Sequence, residues 1–164
     1  MNSPIKKLSH PVLLPFVKEY WHLHSATGLA MPLSLPPPPE QYLYFYPKNL
    51  PTLQTQDGHD IKSDKTLVVG QLVDRMNLRM SDQYVMFKIV FQPGGFHRLF
   101  GIPMMLFANQ SDESATVLGN DLGQLREQIT NADGFEEMIL IMTTVETLFK
   151  TFAHHRSCPY SRRC

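Results

Sequence analysis

Proline is concentrated in the first third of the chain, and this feature limits the fold more than any other. Ten of the 13 prolines lie between Pro4 and Pro51. Because proline donates no backbone hydrogen bond and breaks helices, we expect short strands and loops in this third. The run Pro36–Pro39 is predicted to form a stiff polyproline II connector, since nothing basic flanks it and Glu40 follows directly.

The composition is typical of a single globular domain. The chain has 164 residues, a hydrophobic fraction of 43% and a formal net charge of +0, which excludes coating nucleic acid or an acidic membrane by bulk charge. No apolar run approaches the roughly 18 residues of a membrane span. The two cysteines, Cys158 and Cys164, are too few for a disulfide framework or a cysteine-based zinc site. We therefore expect a cytoplasmic protein without a membrane partner.

Alternating apolar residues before residue 100 predict several short strands. The clearest strand is Tyr84–Phe91, in which Phe87 and Ile89 face one way and Lys88 the other. Short strands separated by turns favour a small barrel or sandwich. The predicted strands are residues 16–24, 41–46, 66–69 and 84–91, with a hairpin over 54–61 that has a two-residue turn at Asp57-Gly58.

After Gly101 the period becomes helical. We predict helices over residues 121–131 and 134–152, the second with a capping box of Asp133 and Glu136. The second helix carries an apolar seam that packs either on the chain's own sheet or across a homodimer. The candidate dimer interface consists of Phe135, Met138, Met142, Val145, Phe149 and Phe152.

These patterns divide the chain into three parts. Residues 1–100 are the predicted β portion and residues 101–153 a helical portion of the same domain. Residues 154–164 lose all apolar periodicity and are predicted to be a disordered basic tail or a truncated linker.

Aromatic side chains on the predicted strands are the candidate ligand-binding residues. Aromatic walls with a few polar groups suit a small-molecule pocket, and they also suit a packed core. No nucleophile, phosphate-loop or facing carboxylate motif is present, so we expect no catalytic residues and no cofactor. The candidate pocket residues are Trp21, Tyr42, Tyr44, Tyr46 and Phe87.

Three histidines support an alternative, a metal-dependent cupin-like enzyme. His22 and His24 alternate on one strand and so point to one face. His97 follows Pro93-Gly94-Gly95, which resembles part of the second cupin motif. The glutamate of the first cupin motif is missing, because no acid lies between Glu19 and Glu40.

Several segments resemble one group of AraC-type transcriptional regulators, in the domain before the DNA-binding part. The resemblance covers about residues 10–153, and its most specific part is the P-G-G…L-F-G-I-P motif. The resembling segments are VFQPGGFHRLFGIP (90–103), LGNDLGQLREQITNA (118–132), FEEMILIMTTVETLFK (135–150), PFVKEYWHLH (15–24) and QYLYFYPKN (41–49).

The resemblance implies a mainly β fold, a cupin-like small β-barrel followed by two to three α-helices. It further implies a non-enzymatic domain that senses a small-molecule effector, forms a homodimer, or does both. DNA would be bound only through a C-terminal module of two helix-turn-helix motifs, which these residues do not supply. A stand-alone protein-interaction module is the remaining alternative.

Overall fold

The computed structural model describes residues 4–27, 32–35, 40–70, 75–103, 111–113 and 121–144. Antiparallel strands build two sheets, and helices follow toward the end of the chain. The strands are β1 (Ile5–Leu8), β2 (Val17–Ser25), β3 (Leu33–Leu35), β4 (Gln41–Phe45), β5 (Thr52–Gln54), β6 (Asp60–Lys62), β7 (Thr66–Val69), β8 (Met76–Arg79), β9 (Tyr84–Phe91) and β10 (Ser111–Glu113). The helices are α1 (Gly95–Phe100), α2 (Asp121–Asn131) and α3 (residues 135–144).

Strand β9 lies in the interior of the larger sheet. That sheet has the order β1-β2-β9-β4-β7-β10, and the smaller one has the order β3-β8-β5-β6. All eight residues of β9 are buried. An antiparallel strand with only one covered face would alternate between buried and exposed residues, so both faces of the larger sheet are covered at β9.

The helices cover one face of the larger sheet and form the helix-side core with it. Phe87 and Phe91 of β9 contribute to this core, together with Phe96 of α1. Its other buried members are Leu13, Val17, Tyr20, Leu43, Phe45, Val68, Ile89, Leu99, Leu125, Ile129, Met138 and Met142.

The smaller sheet covers the opposite face and forms the inter-sheet core. The two tyrosines of β4, Tyr42 and Tyr44, point into this layer because they alternate with Leu43 and Phe45. Its buried members are Tyr42, Tyr46, Leu53, Leu67, Val69, Met80, Tyr84, Met86 and Val90.

The predicted fold class, mainly β with C-terminal helices, is confirmed. The bounds of β7 and β9 agree with the predicted strands. The hairpin over 54–61 is present as β5 and β6 with Gly58 at a φ of 83°, but its turn is longer than the predicted two residues, because the last strand pair is Gln54 with Asp60. Within the described residues the two sheets face each other as separate sheets and are not closed into one barrel. Residues 154–164 lie outside the described residues.

The predicted capping box is displaced by one residue. Helix α3 begins at residue 135, and the Met138 N–H donates to the Gly134 carbonyl at 3.1 Å. Glu137, rather than Glu136, therefore lies in the third helical position and accepts a hydrogen bond from the Asp133 N–H at 2.6 Å. Because Glu136 and Glu137 are adjacent, the sequence does not indicate which of them occupies the third helical position.

The P-G-G…L-F-G motif builds α1 and its ends. Gly94 precedes the helix at a φ of 69°, and Gly101 follows it at 73°, a backbone region that glycine adopts without steric cost. At Gly95 a Cβ atom would lie 2.1 Å from the backbone oxygen of Phe16. Only glycine lets α1 approach the start of β2 this closely.

Candidate functional site

Four residues form one row across the larger sheet. Lys6 of β1 pairs with Trp21 of β2, which pairs with Lys88 of β9, which pairs with Tyr44 of β4. Cross-strand partners project to the same face of a sheet. The row therefore places two lysines and two aromatic rings side by side on the face of the larger sheet that carries the inter-sheet core, with Lys6 exposed on the edge strand. We call these four residues, together with Tyr42, the lysine–tryptophan site.

Lys88 is buried in this site among aromatic rings. Its side chain is only 7% exposed. The Nζ atom lies 3.5 Å from the ring centre of Trp21 and 4.5 Å from that of Tyr42. The pKa of Lys88 is lowered to about 8, chiefly by burial; Glu19 and Glu40 act in the opposite direction, and the nearby Lys6 adds to the lowering. Cation–π contacts offset part of the cost of burying this charge.

Trp21 lies between the two lysines. The Lys6 Nζ atom lies 3.8 Å from the Trp21 ring centre, so each ammonium approaches the indole from a neighbouring strand. The indole Nε1 atom is buried and has no hydrogen-bond partner among the described residues. A buried N–H without an acceptor is costly, and this makes Nε1 a free donor within the site.

Glu40 closes one side of the site. Its carboxylate forms an ion pair with Lys18 at 3.0 Å and accepts a hydrogen bond from the Tyr42 hydroxyl at 3.0 Å. The hydrogen bond from Lys18 lowers the pKa of Glu40 below its ordinary value. Burial and the bond to Glu40 raise the pKa of Tyr42. Both carboxylate oxygens of Glu40 are thus engaged, and Tyr42 is held in place.

Tyrosine rings continue the aromatic wall along β4. The rings of Tyr44 and Tyr46 stack with centres 5.8 Å apart, and the ring of Tyr42 meets that of Tyr44 edge-on at 5.7 Å. The ring centres of Tyr84 and Tyr46 are 6.0 Å apart. Burial raises the pKa of each of these hydroxyls, so all four side chains remain neutral in the physiological range.

The structure brings together four of the five candidate pocket residues. Trp21, Tyr42, Tyr44 and Tyr46 all face the inter-sheet core. Phe87 instead points into the helix-side core, because it precedes Lys88 on β9 and neighbours on a strand face opposite ways. Lys88 was not predicted to be a site residue, although a lysine within an otherwise apolar strand indicates an unusual position for a charge.

The histidines of the metal-enzyme alternative are not gathered into a metal site. His22 stacks on Phe135 with ring centres 5.4 Å apart, and its burial, followed by the charge of His24, lowers its pKa. His97 is exposed on α1. Within the part of the chain that the structure describes, no three His, Cys, Asp or Glu side chains are placed to hold a metal ion.

The first half of the α3 seam packs within the chain. Met138 and Met142 are buried in the helix-side core, and Phe135 packs against it. Packing on the chain's own sheet, one of the two alternatives for this seam, therefore describes these three residues. Val145, Phe149 and Phe152 lie outside the described residues, and a homodimer stays a prediction.

Residues 7–113 match the sequence profile of a family described as a domain of unknown function, DUF6597. The chain belongs to this family. The matched region begins within β1 and ends with β10, so it contains both sheets apart from the first two residues of β1, and all of the lysine–tryptophan site except Lys6.

The solved structures that are similar to the chain include two described by name. Protein NMB1881 from Neisseria meningitidis has 13% sequence identity and a TM-score of 0.40, over 55% of this chain and 84% of that one. A cupin domain from Bordetella pertussis Tohama I has 12% identity and a TM-score of 0.36, over 56% of this chain and 93% of that one. No curated protein sequence matches the chain.

Among the described residues, no helix has both the length and the hydropathy needed to cross a membrane.

Proposed function

We propose that this chain is the effector-sensing domain of an AraC-type transcriptional regulator and that its effector binds at the lysine–tryptophan site. The observation that carries the proposal is the burial of Lys88 among Trp21, Tyr42 and Tyr44. A lysine with apolar neighbours in sequence and aromatic rings around its charge does not contribute to folding as an apolar residue would. A role in binding explains its presence at this position.

The surroundings of Lys88 support a site that a small molecule can reach. Some large side chains that pack against the inter-sheet core are only partly buried, whereas the members of the core are buried. An aromatic wall with a few polar groups is the usual lining of a small-molecule site. The partly buried side chains that pack against this core are Trp21, Leu23, Tyr44 and Leu78.

Regulation requires that effector binding change an equilibrium between two states. Strand β9 is the connection that we propose. Lys88 and Val90 face the inter-sheet core, whereas Phe87 and Phe91 face the helices. A shift of β9 on binding would alter the packing of α3, since the Phe87 and Phe135 rings are in edge contact at 6.1 Å. The helices would pass this change to a DNA-binding module.

The proposal is tested by joining the chain to a module of two helix-turn-helix motifs with its operator and a reporter gene. Compounds that raise the melting temperature of the isolated chain should change reporter expression and be recovered chemically unaltered. The Trp21→Ala variant should lose both responses, while Lys48→Met, a change at an exposed lysine, should keep both. Binders that leave reporter expression unchanged would contradict sensing, and binders that are converted to a product would indicate an enzyme.

A further inference from the structure

The lysine–tryptophan site contains a buried hydrogen-bond donor without an acceptor and, among the described residues, an ammonium group without an ion-pair partner. Trp21 Nε1 is buried and unpartnered, and in the described part of the chain no carboxylate lies within ion-pair distance of the Lys88 Nζ atom. Trp21 and Lys88 are direct cross-strand partners, so the two donors are adjacent. Ammonium and indole groups donate and do not accept. Their missing partner is therefore an acceptor, and an anion satisfies both at least cost.

The charged groups around the site also favour an anion. The charged groups that act on Lys88 are Lys6, Glu19 and Glu40. Glu40 is itself paired with Lys18. Three ammonium groups, counting Lys88, Lys6 and Lys18, thus face two carboxylates, and one positive charge is left uncompensated. A monoanion neutralises it, whereas a cation meets net repulsion.

The side chains that line the site indicate which kind of molecule would carry the anionic group. The Lys88 ammonium is surrounded by the rings of Trp21, Tyr42 and Tyr44, and Leu23 and Leu78 pack against the same core. The Tyr42 hydroxyl already donates to Glu40. Such a surface suits an aromatic or aliphatic body rather than one with many hydroxyl groups.

We propose that the lysine–tryptophan site binds a small aromatic or aliphatic carboxylate, which accepts hydrogen bonds from the Lys88 ammonium and the Trp21 indole N–H. This inference rests on the proposed sensing function and names the chemical class of its effector. The acid binds as its anion, and no covalent bond forms or breaks.

Trp21 is the only tryptophan of the chain, so intrinsic fluorescence reports on the site directly. We would titrate the chain with phenylacetate and with phenylacetamide, which have nearly the same shape and differ in charge. Hexanoate provides a second, aliphatic acid. Phenylacetate or hexanoate should change the fluorescence saturably, and phenylacetate should bind at least tenfold more tightly than its amide.

The variants assign the effect to Lys88. Lys88→Met should weaken carboxylate binding at least tenfold and leave the amide unaffected, while Lys48→Met should bind as the wild type does. Trp21→Phe keeps a ring and removes the N–H, and calorimetry should show weaker binding of the acid. Circular dichroism confirms that each variant is folded.

Three results would overturn the carboxylate assignment. These are equal affinity for the acid and its amide, wild-type affinity in Lys88→Met, and no saturable response to either acid. The reporter experiment judges sensing separately. Equal binding of the amide leaves a small-molecule sensor with a neutral effector, whereas tight binding of the acid without a reporter response leaves the site and removes the sensing function.

Discussion

The Lys88 ammonium lies 3.5 Å from the centre of the Trp21 ring, across the β2–β9 pair. This contact joins the only tryptophan of the chain to a lysine that is 7% exposed. Because burial disfavours the charged form, the site holds Lys88 at an energetic cost. That cost gives the contact measurable consequences.

Replacing Lys88 by methionine should stabilise the fold at neutral pH. Burial lowers the Lys88 pKa to about 8, so the charged form is disfavoured in the folded state. A side chain of similar length without charge should raise the free energy of unfolding by about 1–3 kcal/mol at pH 7. Urea denaturation of both proteins measures this difference, with Lys48→Met as the control.

The pH dependence of the free energy of unfolding tests the burial of the Lys88 charge a second time. Between pH 8 and the ordinary lysine pKa of 10.5, the unfolded chain binds the proton that folded Lys88 has released. Wild-type stability should therefore rise with pH in this window relative to Lys88→Met, and the advantage of the variant should shrink. A constant difference between pH 7 and pH 10 would contradict the proposed burial of the charge.

His22 should destabilise the fold in mild acid. Its pKa lies below the ordinary value of 6.5 because it is partly buried, so the unfolded chain takes up a proton first as the pH falls. Below pH 6.5 the wild type should lose stability relative to His22→Gln. Thermal melts at pH 7.0 and 5.0 test this expectation. His97→Gln, at an exposed position on α1, should follow the wild type, and a parallel loss in all three proteins would refute it.

Gly95→Ala should strongly destabilise the chain. The added Cβ atom would come within 2.1 Å of the Phe16 backbone oxygen, and neither partner is a flexible side chain. We expect a loss of at least about 2 kcal/mol. Gly123→Ala is the matched control, because a Cβ atom added at this position of α2 would meet nothing within 4 Å. That change should stabilise the helix by about 0.5–1 kcal/mol, and equal effects at both sites would refute the close packing of α1.

Met138→Ala should separate core packing from a dimer interface. Met138 is 4% exposed within a single chain, and neighbouring Leu140 is 66% exposed. Truncating Met138 should cost about 2–4 kcal/mol, while Leu140→Ala should change stability by no more than about 0.5 kcal/mol. Chemical denaturation at two protein concentrations measures both. A Met138→Ala cost that depends on protein concentration would place this residue between subunits instead.

The strongest local patterns predicted the fold best. Tyr84–Phe91 was identified with its bounds because alternation and a following Pro-Gly-Gly both mark it. Strand β1 was missed because all its residues are exposed and carry no buried periodicity. Helix α1 was missed because it has six residues between two glycines. Only tertiary contacts determine segments this short.

Part of the candidate site was also predictable from local sequence patterns. Tyr42, Tyr44 and Tyr46 were grouped as pocket candidates on one predicted strand, and in the structure all three face the inter-sheet core. Excluding Phe87 from this set of candidates required knowledge of the register between β4 and β9. That pairing puts Lys88 opposite Tyr44 and puts Phe87 opposite Phe45. Cross-strand register is a long-range property that a single sequence does not display.

The most direct test of small-molecule binding at the lysine–tryptophan site is a nitrogen–proton correlation spectrum recorded with a library of small acids, amides and amines. The single tryptophan gives one indole N–H signal, from Trp21. We expect that acids shift this signal saturably, that Lys88→Met abolishes the shift, and that amines leave it unchanged. An indole signal that no compound moves, while other residues bind compounds from the same library, would contradict binding at this site.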